Sequence, residues 1–234
     1  MIEITVLASG SKGNCYYVTD GKTPLLLECG INYKEIQQGV GYKVTGLAAC
    51  LVTHEHKDHC KAFSEVAYKA RVDCYMSPGT AEAIGAEGHR VKAVRSMEQF
   101  SVGTWDVLPF DVTHDAAEPL GYLLVSRAGY RVLYLTDTVY CKYQFPGLSH
   151  LMIECNHSLD ILRANVADGT IPLELKNRIM RTHMSLETVK EFLRANDLSR
   201  VEQILLIHLS GDISDEARFK REVQELTGKP VWIA

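Results

Sequence analysis

The most informative feature of this chain is the run His54-Glu55-His56-Lys57-Asp58-His59. It places three imidazoles and a carboxylate within one short turn. From the composition, a chance match to this spacing is expected in roughly one chain in a thousand. Neutral imidazoles and carboxylates are ligands for zinc, manganese or iron. The stretch therefore predicts a metal site, and a histidine-rich surface loop is a weak alternative.

The residues around the motif place it between a strand and a helix. The apolar run 47–52 is typical of a buried strand, and the motif begins one residue after it. His54 and His56 are two positions apart in extended chain, so they point the same way and can share one metal. Asp58 and His59 lie where the chain turns into a helix, so they face a second point. Two such points a few ångströms apart make a binuclear centre.

Three later strand patterns each run into a further candidate ligand. These ligands are His114, Asp137 and His208. The carboxyl ends of strands are where α/β folds place their sites, because rigid strands aim short loops at a common point. Each of the three alone is more often an ordinary polar residue at a strand end. Together, behind the histidine motif, they indicate a complete ligand set.

The composition is typical of one cytoplasmic enzyme domain. The 234 residues can bury about 70–75% of the unfolded surface. The seven cysteines form no CxxC pair and are odd in number, as expected of reduced core residues in the cytoplasm. No apolar run approaches the roughly 18–20 residues of a membrane span, and the chain starts in a strand pattern without a signal peptide. The oligomeric state stays open.

Two helices can be predicted from their ends. Ser185 and Ser214 are typical N-cap residues, and Gly228 followed by Pro230 is a typical helix stop. We therefore expect one helix after Ser185 and another after Ser214, with a last strand at 231–233.

With these motifs the chain resembles the metallo-β-lactamase fold superfamily, whose order is HxHxDH, a later His, an Asp and a last His. The resemblance implies an α/β fold, a four-layer αβ/βα sandwich of two mixed β-sheets flanked by helices, formed by a single domain over residues 1–234. It also implies two divalent metal ions, which are zinc, manganese or iron. By resemblance, the ligands of one metal are His54, His56 and His114, those of the other are Asp58, His59 and His208, and Asp137 bridges both.

The segment between Asp137 and His208 narrows the activity. The stretches 152–157, 172–179 and 182–185 resemble the YycJ (WalJ, VicX) family of bacterial metallohydrolases, as do residues 7–14 and 114–119. That resemblance implies a DNA exonuclease acting from the 5′ end. The nucleophile would be a hydroxide that bridges the two metals. Asp58 and Asp137 would serve catalysis as well as metal binding.

His183 and Glu154 also resemble the histidine and glutamate that tRNA 3′-processing enzymes of the RNase Z type carry outside the metal shell. By this resemblance His183 would donate a hydrogen bond or a proton to the reacting phosphate, and Glu154 would hold its ring and raise its pKa. Thr182 and Leu186 depart from the Gly and Asn of that pattern. The alternatives are that His183 is a neighbour of a helix cap and that Glu154 is a surface carboxylate.

The net charge of −4 argues against a wholly basic nucleic-acid face, so any such face must be local. Four basic residues precede His183 and could form it, although a solvated helix surface is an equal alternative. Two residues beside Glu154 are further candidates for substrate contact. The substrate-binding candidates are Arg163, Lys176, Arg178, Arg181, Asn156 and His157.

Three functions stay open. The leading one is a metal-dependent nuclease that acts on DNA ends, with DNA favoured over RNA as the partner and no membrane partner. The second is a hydrolase of a small molecule, such as a cyclic phosphodiester, a lactone or a thioester. The third is a non-catalytic nucleic-acid-binding protein with structural metals. The complete ligand set speaks against the third, because structural sites are closed by four protein ligands per metal.

Overall fold

The computed structural model describes all 234 residues, and their contacts group them into two compact units. The first unit comprises Met1–Asp111 and Ala116–Tyr130, and the second comprises Val112–Asp115 and Arg131–Ala234. The chain has two mixed β-sheets, of six and seven strands, and seven α-helices. None of the helices has the length and apolar character needed to cross a membrane.

The first unit begins with the six-stranded sheet, in the order β1 to β6. Strands β1, β2 and β3 pair antiparallel, and β3 to β6 pair parallel. Three further strands, β7, β8 and β9, form an antiparallel meander. The elements are β1 Glu3–Ala8, β2 Cys15–Thr19, β3 Pro24–Leu27, α1 Tyr33–Gly39, β4 Ala49–Leu51, α2 Lys57–Cys60, β5 Cys74–Met76, α3 Pro78–Ala83, β6 Val91–Ala93, β7 Phe100–Val102, β8 Trp105–Asp111 and β9 Leu120–Ser126.

The central strands of this sheet are buried throughout. Every residue of β4 is fully buried, and so are Leu25, Leu26 and Leu27 of β3. Parallel strands covered on both faces have continuous apolar sequences, which explains the runs that end at the histidine motif. All seven cysteines are free. The predicted place in the core is confirmed for six of them, whereas Cys141 is half-buried.

The second unit consists of four parallel strands and four helices. The strands lie side by side in the order β10, β11, β12, β13. The elements are β10 Arg131–Leu135, β11 His150–Glu154, α4 Leu159–Ala167, α5 Leu173–Thr182, α6 Leu186–Ala195, β12 Gln203–Ile207, α7 Glu216–Thr227 and β13 Val231–Ile233. In register, Leu135 pairs with Ile153 and Glu154 pairs with Ile207. The carboxyl ends of β10, β11 and β12 therefore meet at one edge of the sheet.

The helix caps confirm one prediction and correct another. The Ser185 hydroxyl accepts a hydrogen bond from the Thr188 amide, so Ser185 is the N-cap of α6. The N-cap of α7 is Asp215, whose carboxylate accepts from the Arg218 amide, so the prediction of Ser214 was wrong. The Ser214 hydroxyl instead donates to the Ser210 carbonyl at 2.6 Å. Gly228 ends α7 in the left-handed region, φ +64°, as predicted from the sequence.

Candidate metal centre

In the first unit, the loop from β4 to α2 carries the histidine motif. His54 Nε2 lies 3.1 Å from His56 Nδ1, and the His54 side chain is buried. A tetrahedral zinc ion with bonds of roughly 2.0–2.1 Å holds two nitrogens about 3.3 Å apart. His54 and His56 therefore lie at the separation of two ligands of one ion.

The start of α2 directs the other two residues of the motif. His56 is the N-cap of α2, and Asp58 and His59 follow in its first turn. His59 Nε2 lies 3.3 Å from Asp58 Oδ2. The turn into a helix predicted at this point is present.

A buried carboxylate behind the motif escaped the sequence analysis. Glu28 follows β3 and is fully buried, and its two carboxylate oxygens accept from the Thr53 amide at 3.3 and 3.2 Å. Its Oε1 lies 3.4 Å from His59 Nδ1. The sequence did contain an indication of Glu28, because a carboxylate that follows an apolar strand is the same pattern that pointed to Asp137.

Asn14 and Gly30 pack closely against the backbone of the histidine motif. The Asn14 amide donates to the Asp58 carbonyl at 2.7 Å. A Cβ on Gly30 would lie 1.6 Å from the Asp58 carbonyl oxygen, so only glycine fits there. Residues 14 and 30 thus set the position of the turn that carries Asp58 and His59.

In the second unit, three predicted residues gather around Asp137. Its Oδ1 lies 3.9 Å from His114 Nε2, 3.7 Å from His208 Nε2 and 3.4 Å from His183 Nδ1. Asp137 and His208 are both about 97% buried, with exposures of 3% and 2%. Asp137, Glu154, His183 and His208 offer ligand atoms that all lie within 4.8 Å of one another.

Backbone strain marks three of these positions. Asp137 and His208 have φ values of +48° and +54°, and Glu28 has +62°. Non-glycine residues in this left-handed region cost about 1–3 kcal/mol each. Asp137 and His208 lie just past the ends of β10 and β12, and Glu28 directly follows β3. The sharp bend turns each side chain out of the strand direction.

Three of the candidate histidines have an oxygen atom close to Nδ1, an arrangement that suits metal binding through Nε2. His114 Nδ1 donates to the Thr182 carbonyl at 2.9 Å. His59 Nδ1 and His208 Nδ1 each lie 3.4 Å from a buried carboxylate oxygen, of Glu28 and Glu154 respectively. A metal-binding histidine typically donates its second ring N–H to a carboxylate or carbonyl, which leaves the other nitrogen for the metal. The donor set therefore fits divalent metal ions.

His183 and Glu154 form a close pair beside Asp137. His183 Nδ1 lies 2.6 Å from Glu154 Oε1. Glu154 is fully buried, and its Oε2 also accepts from the Thr138 and Met184 amides at 3.1 and 3.2 Å. It is therefore not a surface carboxylate.

His183 and Glu154 each shift the pKa of the other in the direction that favours its charged form. Burial lowers the pKa of the His183 imidazole, but the charge of Glu154 and its hydrogen bond outweigh burial and leave that pKa raised. Burial raises the pKa of the Glu154 carboxyl, but His183 and His208 outweigh burial and leave that pKa lowered. By contrast, burial lowers the pKa of His114 and favours the neutral form that binds metals.

The substrate-binding candidates divide into buried and exposed groups. The Asn156 amide donates to the His208 carbonyl at 3.1 Å, so it lies behind a candidate ligand. His157 is buried, and burial lowers its pKa to about 4. Arg178 and Arg181 are exposed beside His114, whereas Arg163 lies on α4 and Lys176 on another face of α5.

A family model described as "Beta-lactamase superfamily domain" matches residues 25–209, which include all seven candidate ligands. The chain belongs to the β-lactamase superfamily. It is 16% identical to the metallo-β-lactamase fold protein YhfI from Bacillus subtilis, with a TM-score of 0.75 over 100% of this chain and 97% of that one. The predicted fold of two mixed sheets flanked by helices is thereby confirmed.

Named relatives within the superfamily agree with the predicted resemblance. The chain is 32% identical to exodeoxyribonuclease WalJ of Streptococcus pneumoniae serotype 2, over 88% of this chain and 81% of that one. It is 28% identical to exodeoxyribonuclease YycJ of Bacillus anthracis, over 90% and 83%. It is 32% identical to ribonuclease Z of Mycobacterium marinum over only 37% of each chain.

Proposed function

We propose that this chain is a binuclear metal-dependent phosphodiesterase, and within that class a DNA exonuclease that acts from the 5′ end. The observation that carries the proposal is the His183–Glu154 pair, 2.6 Å apart, with His183 Nδ1 3.4 Å from Asp137. An imidazole N–H donor beside a candidate metal ligand suits a reaction in which negative charge grows on phosphate oxygens.

The proposed metals are two zinc or manganese ions, with iron as a further candidate. The oxygen atoms close to Nδ1 of His59, His114 and His208 support this assignment, as does the spacing of His54 and His56. When bound, such ions lower the pKa of a coordinated water towards about 7 and neutralise phosphate charge. Because each unit holds only part of the ligand set, we propose that residues 1–234 act as one domain. The proposed ligands are His54, His56 and His114 for one ion and Asp58, His59 and His208 for the other, with Asp137 shared.

His183 and Glu154 are proposed to supply the proton that the leaving oxygen needs. Glu154 accepts the Nδ1 proton of His183, so Nε2 is the atom that can donate to substrate. We propose that Nε2 gives its proton to the leaving oxygen, and that Glu154 keeps the ring oriented throughout. Glu154 is fully buried, and the three hydrogen bonds that it accepts fix the position of its carboxylate.

The choice of DNA over RNA is supported by the two exodeoxyribonuclease relatives, which match over most of their length. The proposed 5′ polarity follows the family resemblance of the sequence. Ribonuclease Z of Mycolicibacterium paratuberculosis matches over 80% of this chain, but at 26% identity, below the 32% and 28% of the two exodeoxyribonucleases. The seven free thiols suit a reducing compartment, so we propose the cytoplasm as the location.

Degradation of end-labelled single-stranded DNA tests the proposal. We expect zinc- or manganese-loaded protein to release nucleotides from a free 5′ end. We expect His183→Ala to slow release by about 10²–10⁴-fold, because a proton donor is lost. His89→Ala, which removes an exposed histidine of the first unit, is the matched control and should keep the full rate. No cleavage by protein shown to hold two metals would overturn the nuclease proposal in favour of a small-molecule substrate.

A further inference from the structure

One face of α5 and the segment that carries His114 line a groove of about 550 Å³. This volume is within the range of about 300–1,000 Å³ typical of ligand sites. The groove-facing positions of α5 include Asn177, Arg178 and Arg181, which are spaced so that they share one side of the helix. His114 belongs to the lining, so the groove borders one of the candidate metal ligands.

The two arginines of the groove differ in their partners. Arg178 Nε donates to Asp115 Oδ2 at 3.1 Å, and Asp115 Oδ1 lies 3.3 Å from His114 Nε2. Arg181 forms no hydrogen bond or ion pair within the chain and is exposed. The charge of Asp115 is therefore offset by Arg178, while Arg181 has no ion-pair partner in a lining that also includes the exposed Glu174.

The orientation of α5 about its own axis decides which of its basic residues face the groove. Ile179 and Thr182 are buried, so they fix which side of the helix faces the protein. Lys176 is half-buried and does not line the groove. Arg163 lies on α4 and does not line it either. Of the four basic residues before His183, only Arg178 and Arg181 face the groove.

We propose that this groove binds the sugar–phosphate backbone of the nucleic-acid strand next to the scissile phosphate. Arg181 contacts one phosphate directly, and Arg178, held by Asp115, supports the same strand. The Asn177 amide supplies a neutral hydrogen-bonding group at the same face. This inference rests on the proposed nuclease function and adds the path of the strand, because it assigns the backbone to the α5 side of His114.

Salt-dependent binding tests the inference independently of turnover. The probe is a fluorescent single-stranded oligonucleotide with phosphorothioate linkages, titrated against metal-loaded protein at several salt concentrations. We expect Arg181→Ala to weaken binding about tenfold and to reduce the slope of log affinity against log salt by about 0.7, the value for one phosphate contact on a single strand. Lys176→Ala and Arg163→Ala remove the same charge outside the groove and should leave the slope unchanged.

A small chromogenic substrate, bis-p-nitrophenyl phosphate, separates strand binding from the metal chemistry. We expect Arg181→Ala to lose a much smaller fraction of its turnover of this substrate than of its oligonucleotide affinity, because the substrate is too short to reach along the groove. Equal losses of oligonucleotide binding in Arg181→Ala and Lys176→Ala would overturn the inference. So would loss of chromogenic turnover together with metal content in Arg181→Ala, since that would show a damaged centre.

The outcomes for the two proposals are distinguishable. If wild-type protein binds the oligonucleotide through Arg181 but cleaves neither substrate, the nuclease proposal is wrong and the proposal of strand binding in the groove is supported. If wild-type protein cleaves DNA and Arg181→Ala binds it normally, the nuclease proposal is supported and the proposal of strand binding in the groove is wrong. Arg178→Ala is a second probe, although it also releases Asp115 and is therefore less specific than Arg181→Ala.

Discussion

The two groups of candidate ligands are built in different ways. In the first unit all four ligands fall within six consecutive residues, 54–59, and one strand-to-helix loop holds them. In the second unit His114, Asp137 and His208 come from three separate segments. The parallel register of β10, β11 and β12 brings the last two together, and His114 comes from the segment after β8. The first group therefore depends on local spacing, while the second depends on the topology of a sheet.

Both groups use the same support, a fully buried glutamate behind a histidine. Glu28 lies behind His59, and Glu154 lies behind both His183 and His208. In the first unit the glutamate serves a candidate metal ligand. In the second it serves mainly the proposed proton donor. The buried carboxylate of Glu28 should therefore control metal affinity in the first unit, and that of Glu154 should control the catalytic rate in the second.

The largest effect is expected from the residue proposed to touch both metals. Asp137→Asn removes the charge but keeps a residue type that tolerates the left-handed backbone at this position. We expect DNA cleavage to fall by about 10⁴-fold or more, since loss of both nucleophile positioning and metal charge removes about 5 kcal/mol or more of transition-state stabilisation. Activity and metal content, measured by plasma mass spectrometry, check this.

Asp58→Asn is the comparison for that variant, because Asp58 is proposed to bind one metal only. We expect it to lose about one metal equivalent and to retain more activity than Asp137→Asn. If Asp58→Asn lost both metals and Asp137→Asn lost neither, the proposed assignment of ligands between the two groups would be wrong.

The next effect concerns the second unit alone. Glu154→Gln replaces a carboxylate that accepts three hydrogen bonds with an amide that has one acceptor oxygen, so His183 loses its orientation. We expect kcat on DNA to fall about 10²–10³-fold, a loss within the range for a displaced proton donor. The metal content should change little. Because both residues act as a unit, the double variant with His183→Ala should be no slower than His183→Ala itself.

The exposed Glu225 of α7 offers a matched control, since Glu225→Gln makes the same chemical change at the surface. Its kcat should equal that of the wild type. Additive losses in Glu154→Gln and His183→Ala would contradict the proposed unit.

The difference between the two groups also explains what could be predicted from sequence. The spacing of residues 54–59 specifies a turn with convergent ligands, and the structure has that turn. His114, Asp137 and His208 could be predicted only jointly, because the sequence does not show which strands are neighbours. The left-handed backbone at Asp137 and His208 depends on the whole sheet, so no local pattern indicates it.

Other features were within reach of the sequence but ambiguous. Glu28 follows an apolar strand as Asp137 does, yet no histidine stands near it in sequence. Ser214 and Asp215 can both cap a helix, and the choice depends on the Ser210 carbonyl, which occupies the Ser214 hydroxyl. The orientation of Arg181 and Lys176 requires the phase of α5, which is fixed by tertiary burial of Ile179.

The smallest effect is expected in the first unit, from the glutamate behind a metal ligand. Glu28→Gln keeps the size of the side chain but removes the charge next to His59 Nδ1. Loss of such an outer partner typically lowers metal affinity about 10–100-fold. We therefore expect a weaker zinc affinity, measured by competition with a chelator, while kcat at saturating metal stays near the wild-type value.

Glu3→Gln changes an exposed glutamate of the same unit and should leave both quantities unchanged. A fall in kcat at saturating metal, with unchanged zinc affinity, would mean that Glu28 acts on catalysis as Glu154 is proposed to do. The two buried glutamates would then be equivalent, and the contrast between a metal-holding unit and a rate-controlling unit would be lost. A fall in affinity alone would show that one kind of support serves two tasks, according to whether the supported histidine binds metal or donates a proton.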